Sequence, residues 1–248
     1  MIRIKPRVLI TRPQEQGREL VKQLAEIGIS SISQPMFDYS QNSSESEIKT
    51  LVQEHANPIL IFVSCAAVEF ANLAWPLKNW PHKHIIAVGS ATQKALAALG
   101  LASVCPRQHN SEGVLALAEL TDVKEQNIVI IRGNGGRELM AEQLDARGAK
   151  VSYLESYRRN WHAIDTKLPQ AWKKAQINCI VITSIALLEH TLKLLGKLDT
   201  YWQDSCLWIV ASERIAKCAK QAGLQRVINA DGANDLAIKS AISQHGTR

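Results

Sequence analysis

Long apolar runs are missing from this chain. Stretches such as Ile59–Val63 and Cys179–Thr183 last about five residues, far short of the roughly 20 that a membrane-spanning helix needs, so they read as strand cores. The N-terminus, MIRIKPRVLITRP, is basic but carries no apolar stretch or small-residue cleavage site of a secretory signal. The expectation is a cytoplasmic protein with no membrane partner. Cysteine is sparse and odd in number (Cys65, Cys105, Cys179, Cys206, Cys218), with no CxxC, which argues for reduced structural thiols. The seven histidines form no HExxH, so no metal site is expected. Lys and Arg form no long block and accompany no RNP-like or helix-turn-helix signature. The net charge of +6 therefore suits a small polyanion better than nucleic acid. No GxSxG elbow, no cysteine–histidine pair at a family spacing and no paired carboxylates at strand ends occur. Covalent nucleophilic chemistry and glycosidase-type acid–base chemistry are thereby disfavoured, leaving positioning, hydrogen-bond donors and a single proton transfer.

What the sequence does contain is a duplication. At 248 residues with 46% hydrophobic and 21% charged, it has room for two domains, each with its own core. Strand-then-helix units recur in the same order about 120 residues apart. VLITRP followed by GREL lies over IVIIRGNG followed by GREL, with Arg12 over Arg132. LIFVSCAAVEF lies over IVITSIALLEH, with Ser64 over Ser184; IIAVGSATQKALAALG lies over LWIVASERIAKCAKQAG, with Ser90 over Ser212. A weaker fourth pair is SEGVLALAEL and GANDLAIKSAI. Each unit is an apolar run of four to six residues, a polar or glycine turn, and a helix with i, i+3, i+4 apolar spacing. Strands joined by helices run parallel with right-handed crossovers, so two doubly wound α/β domains follow. Pro35–Tyr39 and Glu155–Arg159 are equivalent joins where the chain can cross between lobes. Two arrangements fit: contiguous halves, or a first strand and helix lodged in the C-terminal lobe.

Ligands of doubly wound sheets bind beyond the carboxyl ends of the strands. That edge carries Thr11, Arg12, Ser64, Ser90, Arg132 to Gly136, Thr183, Ser184 and Ser212. Arg132-Gly133-Asn134-Gly135-Gly136-Arg137-Glu138 is the sharpest local motif, a glycine turn whose backbone N–H groups suit a carboxylate or phosphate. A dinucleotide fingerprint would need glycine at Glu138 and a P-loop would need Gly-Lys-Ser/Thr; neither is there. Ser64, Ser90, Ser111, Ser184 and Ser212 are expected to N-cap helices, and together with Thr11, Thr92 and Thr183 they make two rims of donors about a shared cleft. Tyr157 is the titratable candidate on the crossover, since a phenol is ordinarily protonated at neutral pH and can donate a proton. Arg158 and Arg159 beside it can hold acidic groups.

Taken together, these segments resemble the uroporphyrinogen-III synthase family over essentially the whole chain. The carriers are VLITRP with GREL, IFVSCAAVEF, AVGSAT, the SEG after Pro106, VIIRGNGGREL with ARGA, YRR at Tyr157, VITS and VASERIA. The resemblance selects the crossed arrangement: two doubly wound parallel-sheet domains joined by a two-stranded linker, the first discontinuous. It places residues 1–36 plus 162–248 in one domain and 40–155 in the other, with linkers at about 35–40 and 155–161. It implies dehydration and cyclisation of hydroxymethylbilane to uroporphyrinogen III with inversion of the last pyrrole ring, without metal or organic cofactor. By the same resemblance Tyr157 assists departure of the hydroxyl. Thr11, Arg12, Ser64, Ser90, Thr92, Arg132, Gly133, Gly135, Thr183, Ser184, Ser212 and Arg214 are substrate-binding candidates. Relatives commonly carry a glycine-threonine turn where this chain has Ala211-Ser212-Glu213-Arg214. A monomer is expected, with transient contact to hydroxymethylbilane synthase; the alternative is a non-catalytic two-lobed receptor for a small polyanion.

Overall fold

The computed structural model describes residues 5–55, 57–136, 138–163 and 165–245. Arg137, within the glycine-turn motif, lies outside them. The chain divides into two compact units: unit 1 takes Met1–Asp38 and Trp161–Arg248, and unit 2 takes Tyr39–Asn160.

Unit 1 holds a five-stranded sheet of β1 (Arg7–Ile10), β2 (Ser30–Ser33), β8 (Cys179–Ile182), β9 (Leu207–Val210) and β10 (Val227–Asn229), in the order β10-β9-β8-β1-β2. All its pairings are parallel. Its helices are α1 (Gln14–Ala25), α7 (Leu168–Lys174), α8 (Ile185–Leu195), α9 (Glu213–Gln221) and α10 (Asp235–His245). Val8, Ile10, Cys179 and Val181 form one core with Leu20, Leu24, Ile238 and Ile242. The alternate residues Leu9, Ile180 and Ile182 are equally buried, so the sheet is covered on both faces, as the continuous apolar strands require.

Unit 2 holds β3 (Phe37–Gln41), β4 (Ile59–Phe62), β5 (His84–Ala87), β6 (Asn127–Gly133) and β7 (Lys150–Trp161), in the order β3-β7-β6-β4-β5. Its helices are α2 (Glu45–Glu54), α3 (Cys65–Ala74), α4 (Ser90–Ala98), α5 (Ser111–Leu115) and α6 (Leu139–Ala146). Val129 and Ile131 pack with Ala67, Val68, Ala71 and Leu96 on one face; Ile128 and Ile130 pack with Val114, Met140 and Leu144 on the other. Each buried Val, Leu, Ile or Met among these contributes about 1.5–3 kcal/mol relative to exposure. A parallel bridge from Ile86 to Val104 extends the sheet past β5. The chain leaves unit 1 within β3 and returns within β7. These strands run antiparallel, because Asn42 N donates to Ser156 O while His162 N donates to Met36 O.

The fold class is the one expected: two similar doubly wound units, the first discontinuous, joined by two strands. The sheet registers state the duplication physically. Val8 pairs with Cys179 in unit 1 as Ile128 pairs with Ile59 in unit 2, and the strand order β2-β1-β8-β9-β10 repeats as β7-β6-β4-β5 with the Val104 bridge. Two details depart from the sequence alignment. Ile182 pairs with Val210 and Phe62 with Ala87, so Ser212 is equivalent to Gly89 rather than to Ser90. Ser90 and Ser111 are also not caps; each is the first helical residue, behind Gly89 and Asn110. The strand end and the N-cap conformation fix the helix start, and an unaligned hydroxyl one residue on imitates it in sequence.

Candidate functional site

In a sheet whose connections run outward both ways from adjacent strands, the helices leave a crevice at the carboxyl ends of those strands. The switch lies between β1 and β8 in unit 1 and between β6 and β4 in unit 2. Thr11, Arg12, Thr183 and Ser184 follow the first pair; in the second, Arg132 and Gly133 end β6 and Ser64 lies just past β4.

In unit 2 the rim gathers Ser64, Thr92, Gly133 and Tyr157. Ser64 N-caps α3, its Oγ accepting from Ala67 N at 3.1 Å, and the same oxygen lies 3.2 Å from the Tyr157 hydroxyl. Tyr157 is 5% exposed. Tyr39 stands edge-on to its ring at 5.0 Å and Phe70 lies tilted over it at 5.9 Å, so the phenol is held by an aromatic wall with only its tip on polar atoms. Gly133 admits the ring: a Cβ there would meet Tyr157 Cε2 and Cζ at 2.5 Å. Thr92 is buried on α4; crowding around the Cys65 sulfur, next to Ser64, pushes that thiol above its usual range, and the Thr92 side chain offsets part of this. Ser90, by contrast, is exposed.

The glycine turn is occupied by the chain's own groups. Arg132 is buried, its Nε donating to Gly135 O at 3.1 Å and its Nη1 to Glu138 Oε1 at 3.1 Å, with the guanidinium 4.5 Å from the Tyr153 ring centre. Glu138 also accepts from the Tyr153 hydroxyl. That bond, followed by the Arg132 interaction, holds the Glu138 carboxyl below the usual range. Burial first, then the Glu138 carboxylate, pushes the Tyr153 phenol up to about 12. Gly135, at φ 71°, takes the left-handed conformation that a side chain resists, and its N–H donates to Glu155 Oε1 at 3.2 Å.

Unit 1 repeats the theme with its polar groups turned inward. Thr11 is fully buried and donates to Val181 O at 2.7 Å. Arg12, the equivalent of Arg132, is bound to Asp235 and to Gln16. Ser184 and Ser212 cap α8 and α9, accepting from Leu187 N at 3.2 Å and Ile215 N at 3.4 Å. Thr183 is half-buried, and Arg214 sits on the exposed first turn of α9. Among the described residues no group of three or more His, Cys, Asp or Glu is placed to hold a metal ion, and no helix is long and apolar enough to cross a membrane.

Sequence reasoning missed Tyr39 and Phe70, which wall in Tyr157, and the carboxylates of Asp235, Glu138 and Glu155. Asp235 stands 223 positions from Arg12, a separation that no local pattern bridges.

The family model described as "Uroporphyrinogen-III synthase HemD" matches residues 18–237. The chain is 31% identical to uroporphyrinogen-III synthase of Escherichia coli over 243 residues, 95% of this chain and 99% of that protein. It is 33% identical to the Salmonella typhimurium enzyme over 246 residues, again 95% and 99%. Among solved structures, a mutant uroporphyrinogen III synthase of Thermus thermophilus superposes with a TM-score of 0.69 at 13% identity, covering 97% of this chain and 98% of that one. The Helicobacter pylori uroporphyrinogen-III synthetase gives 0.60 at 13%, covering 98% and 100%. At that identity the structural likeness speaks for the fold, and the sequence matches speak for descent. The chain belongs to the uroporphyrinogen-III synthase family.

Proposed function

We propose that this chain dehydrates and cyclises hydroxymethylbilane to uroporphyrinogen III, inverting the last pyrrole ring, as a carbon–oxygen lyase of tetrapyrrole synthesis in the cytoplasm. The observation that carries the catalytic reading is the contact of the Tyr157 hydroxyl with Ser64 at the carboxyl end of β4, the phenol ring being packed against Tyr39 and Phe70.

The substrate is a flexible chain of four pyrroles, each bearing an acetate and a propionate. Its spontaneous closure gives the uninverted type I isomer. The protein therefore has to hold one folded geometry, an effect worth up to roughly 7–11 kcal/mol in favourable cases. In our reading the Tyr157 phenol gives its proton to the terminal hydroxyl as the C–O bond breaks. Electrons from the terminal pyrrole fill the gap, water leaves, and loss of the pyrrole N–H proton gives a neutral azafulvene. The substituted α-carbon of the last ring attacks it to form a spiro intermediate, which fragments and recloses inverted. Ser64 Oγ and the N-terminal end of α3 stabilise the phenolate that remains. A positioned acid of this kind contributes typically about 10² to 10⁴ in rate.

The binding candidates differ in readiness. Ser64, Thr92, Thr183, Ser184, Ser212 and Arg214 offer hydroxyl, guanidinium or helix-end donors to carboxylates. A substrate carboxylate reaching Arg132 or Gly135 exchanges with Glu138 or Glu155, and one reaching Arg12 with Asp235. Thr11 acts through the β1–β8 pairing. Freshly prepared hydroxymethylbilane is the test: type III porphyrin after oxidation, well above the buffer control, is expected. Type I alone, at the spontaneous rate, refutes the reading and leaves a non-catalytic polyanion receptor.

A further inference from the structure

Tyr157 faces Ser64 because of a break in the pleat of β7. Along that strand Val151 and Tyr153 pack with the Ile128–Ile130 face of the sheet, whereas Leu154 packs with the Val129–Ile131 face. Side chains of a regular strand alternate between faces. Residues three apart, such as Leu154 and Tyr157, therefore point to opposite sides. Here both belong to the Val129–Ile131 face, together with α3. The register explains it: Arg132 pairs with Glu155 but the next residue, Gly133, pairs with Tyr157, so Ser156 is an extra residue without a partner on β6. Bulges are rare between parallel strands, and bulges in general gather next to active sites, where they re-aim a side chain.

The bulge is built rather than tolerated. Ser156 is fully buried, and its hydroxyl is shared between Ala67 O of α3 at 3.3 Å and Arg132 O of β6 at 3.4 Å. Its carbonyl accepts from Asn42 N at 3.1 Å. The neighbouring Glu155 carbonyl accepts from Asn42 Nδ2 at 2.9 Å and Ser43 Oγ at 2.8 Å. The ladder resumes one step later, Asn134 N donating to Tyr157 O at 3.1 Å. Buried carbonyls left over by a pairing defect demand such partners.

We propose that Ser156 is the positioning residue of the reaction: its hydroxyl ties the β7 bulge to α3 and β6, and the bulge so held keeps Tyr157 on the α3 face with its phenol on Ser64. This rests on the reading of Tyr157 as the proton donor. If β7 kept all its residues but ran without the bulge, regular alternation from Leu154 would send the Tyr157 ring to the face of α6.

The test is a cycle of Ser156→Ala and Tyr157→Phe, with ring-to-ring NMR contacts between Tyr157 and Phe70 as a readout independent of turnover. Ser156→Ala is expected to lower kcat roughly tenfold with KM little changed, since misplacement of a reacting group by about 1 Å can cost up to about a hundredfold. In the Tyr157→Phe background the same change is expected to do less than about twofold, because the two act as one unit. Ser156→Ala is expected to weaken the Tyr157–Phe70 contacts, because its hydroxyl no longer ties the bulge to α3 and β6. Equal losses from Ser156→Ala in both backgrounds, or none in either, overturn the positioning role. Full turnover in Tyr157→Phe instead removes the proton-donor reading, and unchanged ring contacts in Ser156→Ala remove its hydroxyl as the tie that holds the ring.

Discussion

Gly133→Ala is the sharpest perturbation the structure offers. The backbone at Gly133 lies outside the left-handed region, so an alanine is conformationally acceptable there. The obstacle is Tyr157: the added Cβ would sit 2.5 Å from Cε2 and Cζ and 3.0 Å from the phenol oxygen. Ordinary contact begins near 3.4 Å, so the ring must retreat by about 1 Å, and Tyr39 and Phe70 stand in the way. Overpacking of this kind costs about 1–3 kcal/mol of stability, and a shift of about 1 Å in a reacting group can cost up to about a hundredfold in rate. The variant should therefore fold, with a lower urea midpoint, and should make type III product with kcat reduced by roughly 10- to 100-fold. Stopped assays at saturating hydroxymethylbilane, with the isomers separated after oxidation, measure this. A Gly133→Ala protein with kcat within twofold of the parent would show that the ring is free to move or is not needed, and would refute the reasoning.

Other outcomes follow from the same contacts. Ser64→Ala and Ser184→Ala each remove an equivalent N-cap and should lose a similar stability of about 0.5–2 kcal/mol; kcat should fall further for Ser64→Ala, whose hydroxyl alone of the two meets a tyrosine. Equal kinetic effects would deny Ser64 its part at Tyr157. Asp235→Ala strands the buried Arg12 guanidinium. A fully buried pair broken in this way costs about 3–5 kcal/mol; with Asp235 about a quarter exposed, about 2–3 kcal/mol is expected by urea denaturation, and a loss below ~0.5 kcal/mol would mean that Arg12 reaches water. Tyr153 titrates at about 12 rather than 10 in the folded state, so its proton is held more tightly than in the unfolded chain. The stability this confers is complete below pH 10 and disappears as pH rises towards 12. Tyr153→Phe should flatten that alkaline limb of the stability profile, and an unchanged limb contradicts the assignment.

The fold was legible because the sheets are buried on both faces, which makes runs such as Ile59–Phe62 and Cys179–Ile182 continuous and apolar. Three of the proposed capping serines, Ser64, Ser184 and Ser212, cap as hydroxyls ahead of apolar helices should. The slip at Ser90 and Ser111 shows the limit: Gly89 and Asn110 also satisfy a helix start, and sequence does not rank one residue against the next. Arg12 and Arg132 were visible as strand-end cations, but their partners Asp235 and Glu138 were not. The first is remote in sequence, and the second reads as an ordinary first-turn acid. The face that Tyr157 occupies was illegible for a different reason. Period-two reasoning predicts alternation, and the inserted Ser156 leaves no mark in composition or spacing; it emerges only when β7 is laid against β6.

The most direct measurement compares two leaving groups. Hydroxide needs a proton to depart, whereas an acetate ester of the same bilane does not. If the Tyr157 phenol supplies that proton, Tyr157→Phe should lose roughly 10² to 10⁴ in turnover with hydroxymethylbilane and recover to within a few-fold of the parent with the acetoxymethyl analogue. An equal deficit with both substrates would place the role of Tyr157 elsewhere and contradict the account.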